Sequence, residues 1–283
     1  MTRVIRCLKV AVVIIAGLFA LALTTYWIIP VDRINSVINK ELKRKQISIM
    51  PVARKTVLPG LKWRNAEISS PKGVVVVCDD ISLRLRLTPL LLGRVKLDVF
   101  AAIGNGRIDM TYSRDGGENV FNLKVSDLDL ADITLLKTTL PEAEIIGKLN
   151  LDGALYNNAE ESRGEFRVEI KKLGISETRL KALLPIETRN LHCQGVIHLD
   201  NEDIRLQGVS IQGDGLYARL SGTIHNNGDA AGNLPLDLAL EIMPKSDYLK
   251  QQKIFFHLLS RFMVSAGYYR IPLRGTLLNP EIF

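Results

Sequence analysis

The sequence predicts a mainly β protein: a single N-terminal transmembrane helix, then a curved, predominantly antiparallel sheet with amphipathic helices at its flanks. Three observations carry this. Residues 10–29 form an uncharged run of twenty. From about residue 47 onward, apolar and polar residues alternate between turn-forming clusters. Helical spacing of apolar residues returns only near residues 31–45 and 246–267.

The N-terminal run, at about 1.5 Å per residue, matches a hydrocarbon core of roughly 30 Å, and Tyr26 and Trp27 stand near its end, where amphipathic rings favour the interface. A cleaved signal peptide is the main competitor, since Ala20, Leu21 and Ala22 offer a small-residue site. The apolar run continues seven residues past Ala22, longer than a signal core requires, which favours an uncleaved anchor. A buried core helix is the other apolar alternative. Three basic residues, Arg3, Arg6 and Lys9, precede the run, and five follow closely, at Arg33, Lys40, Lys43, Arg44 and Lys45. Charge counting alone therefore opposes an N-in orientation. The short tail holds its charges directly against the membrane, however, and long following domains translocate largely regardless of charge, so the expectation is N-in. The implied division is a cytoplasmic tail over 1–9, the anchor over 10–29, an amphipathic helix over 30–46 and a periplasmic β-rich domain over 47–283.

In the helix after Pro30, Val31, Ile34, Ile38 and Leu42 recur at intervals of three and four. It is expected to pack on the end of the β-domain. Strands follow. "ISLRLRL" at 81–87 sets Leu83, Leu85 and Leu87 against Arg84 and Arg86, and "RGEFRVEIKKL" sets Phe166, Val168 and Ile170 against Arg167, Glu169 and Lys171. Asp115, Gly116 and Gly117 mark a hairpin turn, and 225–233 another turn or loop. Gly106, Gly147, Gly164, Gly195, Gly222 and Gly275 each stand two residues before an apolar residue of the same strand face. This predicts bulges, bends or close backbone approach, hence curvature. "ADITLLKTTLP" suggests a short helical turn before Pro141. "SDYLKQQKIFFHLLSRFMVSAG" suggests a helix with Tyr248, Phe255, Leu259 and Phe262 on one face, closed by Gly267. The closing "YYRIPLRGTLLNPEIF" reads as a strand with Ile271, Leu273 and Leu277 on an apolar inner face and Gly275 leaving room between the last two.

Little chemistry is written into the chain. The net charge is +7, but three of the 37 basic residues lie in the tail, leaving 34 against 30 acidic ones. No basic face is interleaved with aromatics, so nucleic acid is not an expected partner. His192 and His198, six apart, are too distant to be adjacent-turn ligands, and with Cys193 they fall short of a zinc pattern. Asp79 and Asp80 point to opposite faces if extended. There is no nucleophile elbow, phosphate loop or dinucleotide fingerprint; no cofactor, metal or catalytic residue is expected. Cys78 and Cys193 would share an oxidising compartment, where they either pair in a disulfide or remain buried thiols; the sequence leaves both open.

Four stretches carry a resemblance: "LPGLKWRNAEIS" (58–69), "LRLTPLLLGRVKLDVF" (85–100), "LPEAEIIGKLNLDGAL" (140–155) and the closing sixteen residues. In their order, and behind a single N-terminal anchor, they resemble type II secretion system protein N, the GspN-type family. "TPLLLGRVKLDV" is also similar to the wider AsmA-like group of anchored periplasmic proteins. The resemblance implies a non-catalytic, inner-membrane, periplasm-facing accessory that partners the other type II secretion proteins. The AsmA-like likeness implies an alternative, in which a curved sheet offers its apolar groove to lipid.

Overall fold

The computed structural model describes residues 17, 21, 24–44, 46–71, 73–139, 144–158, 160–176, 188–201, 203–213, 215–225, 234–276 and 279–282. Most of the expected 10–29 span lies outside them. Residues 24–28 are helical, and among the described residues no helix is long and apolar enough to cross a membrane.

The expected amphipathic helix is α1, Val31–Arg44, with Asp32 in its first turn and Lys43 and Arg44 in its last, each favourable to the helix dipole. Ile34 and Ile38 pack against the first core cluster. Asn35, on the same face, is buried because its Nδ2 donates to the Ala53 carbonyl oxygen at 3.1 Å; an apolar pattern alone does not reveal such a residue.

Everything else hangs on one antiparallel sheet. It opens with the short strands β1 (Ser48–Met50) and β2 (Arg54–Lys55), both paired to β3 (Gly60–Ser70), and continues through β4 (Gly73–Leu85). After a five-residue helix, α2 (Leu87–Leu91), come β5 (Val95–Ile103), β6 (Gly106–Asp115) and β7 (Glu118–Asp129). A 3-10 turn, Leu130–Asp132, and α3 (Thr134–Thr139) precede β8 (Glu144–Asn157) and β9 (Ser162–Ser176). The meander continues through β10 (Thr188–Asp200), β11 (Asp203–Gln212), β12 (Leu216–His225) and β13 (Leu236–Pro244). Two short helices, α4 (Ser246–Gln251) and α5 (Lys253–Leu258), and a 3-10 turn, Leu259–Phe262, lead to β14 (Met263–Ser265), β15 (Tyr268–Thr276) and β16 (Asn279–Ile282). From β3 to β13 each strand pairs with the next in sequence. β15 then pairs with β13, and β14 and β16 occupy the far edge of β15.

Several glycines of the sequence series fall at irregularities. The β8–β9 register shifts between Ile146 and Lys148, where Gly147 has φ +148°, and the β10–β11 register shifts across Gly195. Further shifts break β7–β8, β9–β10 and β11–β12. Each bulge bends its strand and raises local twist. The sheet accordingly folds over its apolar side: α3, which follows β7, touches β4, three strands away. Ile133, just before α3, packs against two core clusters at once.

Two expectations are corrected here. The alternation runs to Leu87 but the strand does not; β4 ends at Leu85, and the segment around Pro89 turns into α2 because Pro cannot continue a central ladder. The helix expected over 246–267 breaks at Gln252 (φ −109°, ψ 38°), and its last part becomes a 3-10 turn and then β14. The break lets adjacent Phe255 and Phe256 both be buried.

Candidate functional site

Because side chains alternate along every strand, residues in register across the ladders share a face. One such row crosses the sheet as Leu61, Leu83, Val99, Met110, Leu123, Gly153, Phe166, Ile197, Leu206, Gly222, Leu238 and Leu273. Every position is apolar or glycine. At about 4.8 Å per strand the row is roughly 50 Å long, measured along the sheet.

This apolar face is covered unevenly. At one end α1 lies over the cluster around Trp63, Ala66 and Ile81. Leu130, Ile133 and Leu136 fill the middle against Leu173 and Leu191. At the far end α4 and α5 lay Tyr248, Phe255 and Phe256 over Ala218, Ile242, Tyr269 and Ile271. Toward the hairpins of the central strands the covering elements run out. Leu97, Tyr112, Phe121, Leu155, Ile197 and Leu199 are each only half-buried and belong to none of the buried clusters.

The opposite face is ionic and self-paired. Lys62 meets Asp80 at 2.7 Å, Arg107 meets Asp109 at 2.6 Å, Arg167 meets Glu165 at 3.1 Å and Lys171 meets Glu169 at 3.3 Å. Pairs this exposed contribute little stability and serve mainly to keep that face wet. Three of the four histidines join the same pattern. His192 lies 3.7 Å from Glu169, His198 Nε2 lies 2.6 Å from the Gln207 side-chain oxygen, and His225 Nδ1 lies 2.9 Å from Asp203. Among the described residues no three His, Cys, Asp or Glu side chains converge to hold a metal.

Cys78 and Cys193 are both free and buried, on strands separated by five others, Cys78 beside Trp63 and Cys193 beside Leu191. The disulfide alternative is therefore not realised; each thiol fills its own cluster as a small apolar group. Burial pushes both thiols up, and nearby Asp79 pushes Cys78 further. We predict that neither is alkylated in the folded protein near pH 8, and that electrophoretic mobility is the same with and without reductant. A faster nonreducing band lost on mutating either cysteine would contradict this.

The residues expected on the inner face at the C-terminus separate on inspection. Ile271 is buried in the cluster under α5, and Leu273 packs against two clusters. Gly275 has φ +86°, opposite Pro280, so a larger residue there is strained whether or not the face is open. Leu277 lies outside the described residues. The cross-sheet row was missed because it depends on long-range register; its one local trace is a glycine in one strand that meets a large apolar residue in the next.

The fold and its site thus define an open antiparallel meander with one ionic face and one incompletely covered apolar face. Comparison with family models, curated proteins and solved structures finds no match to this chain.

Proposed function

We propose that this protein is a non-catalytic accessory or assembly component of the type II secretion apparatus. It is held in the inner membrane by residues 10–29, with the sheet in the periplasm. The sequence resemblance names the apparatus. The observation that supports a binding rather than a chemical role is the open sheet, whose large faces carry an unclosed apolar surface and self-paired charges. Deleting the gene in a host with active type II secretion is expected to leave folded export substrates in the periplasm, and a plasmid copy to restore export. Unimpaired export would remove the proposal. The anchor is tested separately: the mature chain should retain residue 1 and resist carbonate extraction, whereas a chain beginning near Leu23 would show cleavage.

The half-buried central row favours a second reading, in which the apolar face holds acyl chains. Replacing Ile197 with Gln in an open trough costs about 1 kcal/mol of apolar burial and lowers the lipid extracted from the purified protein. In a face closed by its own side chains the same change buries an amide without partners and costs about 3 kcal/mol, with no lipid to lose.

A further inference from the structure

Near the N-terminal end of the sheet, the helical residues 24–28 are pinned to the hairpin that carries β2. The Tyr26 hydroxyl donates to the Gly60 carbonyl at 2.7 Å, with the Thr56 carbonyl at 3.1 Å. The Lys55 ammonium donates to the carbonyls of Tyr26 (2.6 Å) and Ile29, and stands over the Tyr26 ring. Beyond the same hairpin, the Leu85 amide donates to the Pro59 carbonyl at 2.9 Å. There a cleft of about 720 Å³ opens between Leu58, α2 and the ends of β4, β5 and β6.

The cleft has two properties that rarely coincide on a soluble surface. Its rim is apolar and projects outward: Leu58 is 60% exposed and Leu92 73%, and Val57 beside them is 78% exposed. Its wall is basic, with Arg84, Arg86, Arg94 and Lys96 against Asp98 and Asp115. Arg86 is neutralised by Asp98 and Arg94 by Asp115, whereas Arg84 and Lys96, on the same face of the β4–β5 ladder, form no ion pair within 4 Å among the described residues; Arg114, in register with Val95, stands on the opposite face. Trp27, at the pinned helix end, is 56% exposed. Exposed Leu, Val and Trp with unpaired basic groups behind them form the pattern of an interfacial contact: apolar tips enter the acyl boundary and cations meet phosphates.

We propose that this cleft seats on an anionic phospholipid surface, with Arg84 and Lys96 on the headgroup phosphates and Val57, Leu58 and Leu92 in the interface. The contact adds a second hold on the bilayer beside the helix end already pinned to the sheet by Tyr26 and Lys55. It rests on the anchored reading only for which membrane lies nearby.

The test uses the full chain reconstituted in vesicles of phosphatidylcholine alone or of phosphatidylcholine with phosphatidylglycerol, read by amide hydrogen exchange. Residues 56–60 and 84–96 are expected to exchange at least tenfold more slowly in the anionic vesicles, and to lose that protection at high salt, where charges beyond about 3 Å are screened. At roughly fivefold per basic residue, the R84Q/K96Q variant should lose most of that protection, up to about twenty-fivefold. L58S/L92S, which keeps every charge, should lose protection too, so the proposal remains testable if the first variant fails to fold. Equal exchange in both vesicles, or protection indifferent to salt, overturns it. Carbonate extraction in parallel reports the anchor, so a protein released by carbonate yet protected by anionic lipid would fail the anchored reading and uphold this one.

Discussion

Replacing Phe256 with alanine is expected to destabilise the C-terminal part of the sheet by about 3–5 kcal/mol, the range for a buried aromatic truncated to a methyl. Phe256 is 3% exposed. Its ring centroid lies 5.2 Å from those of Phe255 and Tyr269 and 6.1 Å from that of Tyr248. These contacts tie α4 and α5 to β15 and to Ala218 and Ile242 of the neighbouring strands. Among the described residues only α4, α5 and the 3-10 turn, through Leu259 and Phe262, pack that end of the apolar face, so the cavity has only these short elements to collapse on. The Phe256 cluster shares none of its residues with the one around Trp63, so the loss should be partly local. In hydrogen exchange, amides of β12, β13 and β15 should open well before those of β3–β6. A variant within 1 kcal/mol of the parent, or one in which every amide is accelerated equally, would show that the helices are not what holds this end closed.

How much of this was legible in the sequence depends on the range of the interaction. Intervals of three and four from Val31 to Leu42 gave α1 nearly to its ends, since an amphipathic helix writes its core face into local spacing. The hairpin at Asp115, Gly116 and Gly117 was equally local. The segment 130–139 was readable as helical turns, but not as the piece that reaches β4, because nothing local to Ile133 or Leu136 encodes a partner three strands away. The same limit hid the cross-sheet row: alternation states which residues share a face within a strand, while the bulges at Gly147, Gly195 and Gly208 set how the rows align between strands. The alternation of the C-terminal stretch marks Ile271 and Leu273, which face the core. It also marks Gly275, whose positive φ makes it a poor probe of that face. The basic cleft is not legible because Arg84 and Lys96 are twelve positions apart and share a face only through the β4–β5 register, in which Arg84 stands opposite Asp98.

The better probe of the apolar face is Gly153, at the centre of the row. A Cβ there would stand 2.4 Å from the Glu165 carbonyl oxygen and 2.4 Å from the nearest Phe166 ring carbon. Phe166 is its register partner on β9, and its ring lies over the bare glycine, an arrangement in which an aromatic covers backbone that a side chain would otherwise shield. Gly153→Ala is therefore expected to cost about 3 kcal/mol, the upper end of overpacking, because one clash is with main chain held in the β8–β9 ladder and cannot be relieved by a rotamer change. Two controls grade the effect. Gly164→Ala, with its nearest contact at 2.9 Å, should cost less, and Gly117→Ala, with nothing within 4 Å, should be close to neutral. Adding Phe166→Leu to Gly153→Ala should recover only part of the loss, since it removes the ring contact and leaves the carbonyl; the unrecovered remainder measures the backbone share in a double-mutant cycle. Urea denaturation of these four variants and of Phe166→Leu alone, which closes the cycle, supplies all the numbers. If Gly153→Ala lies within about 0.5 kcal/mol of the parent, Phe166 does not rest on that glycine. The centre of the sheet is then looser than its register implies, with an apolar face that yields readily to whatever occupies it.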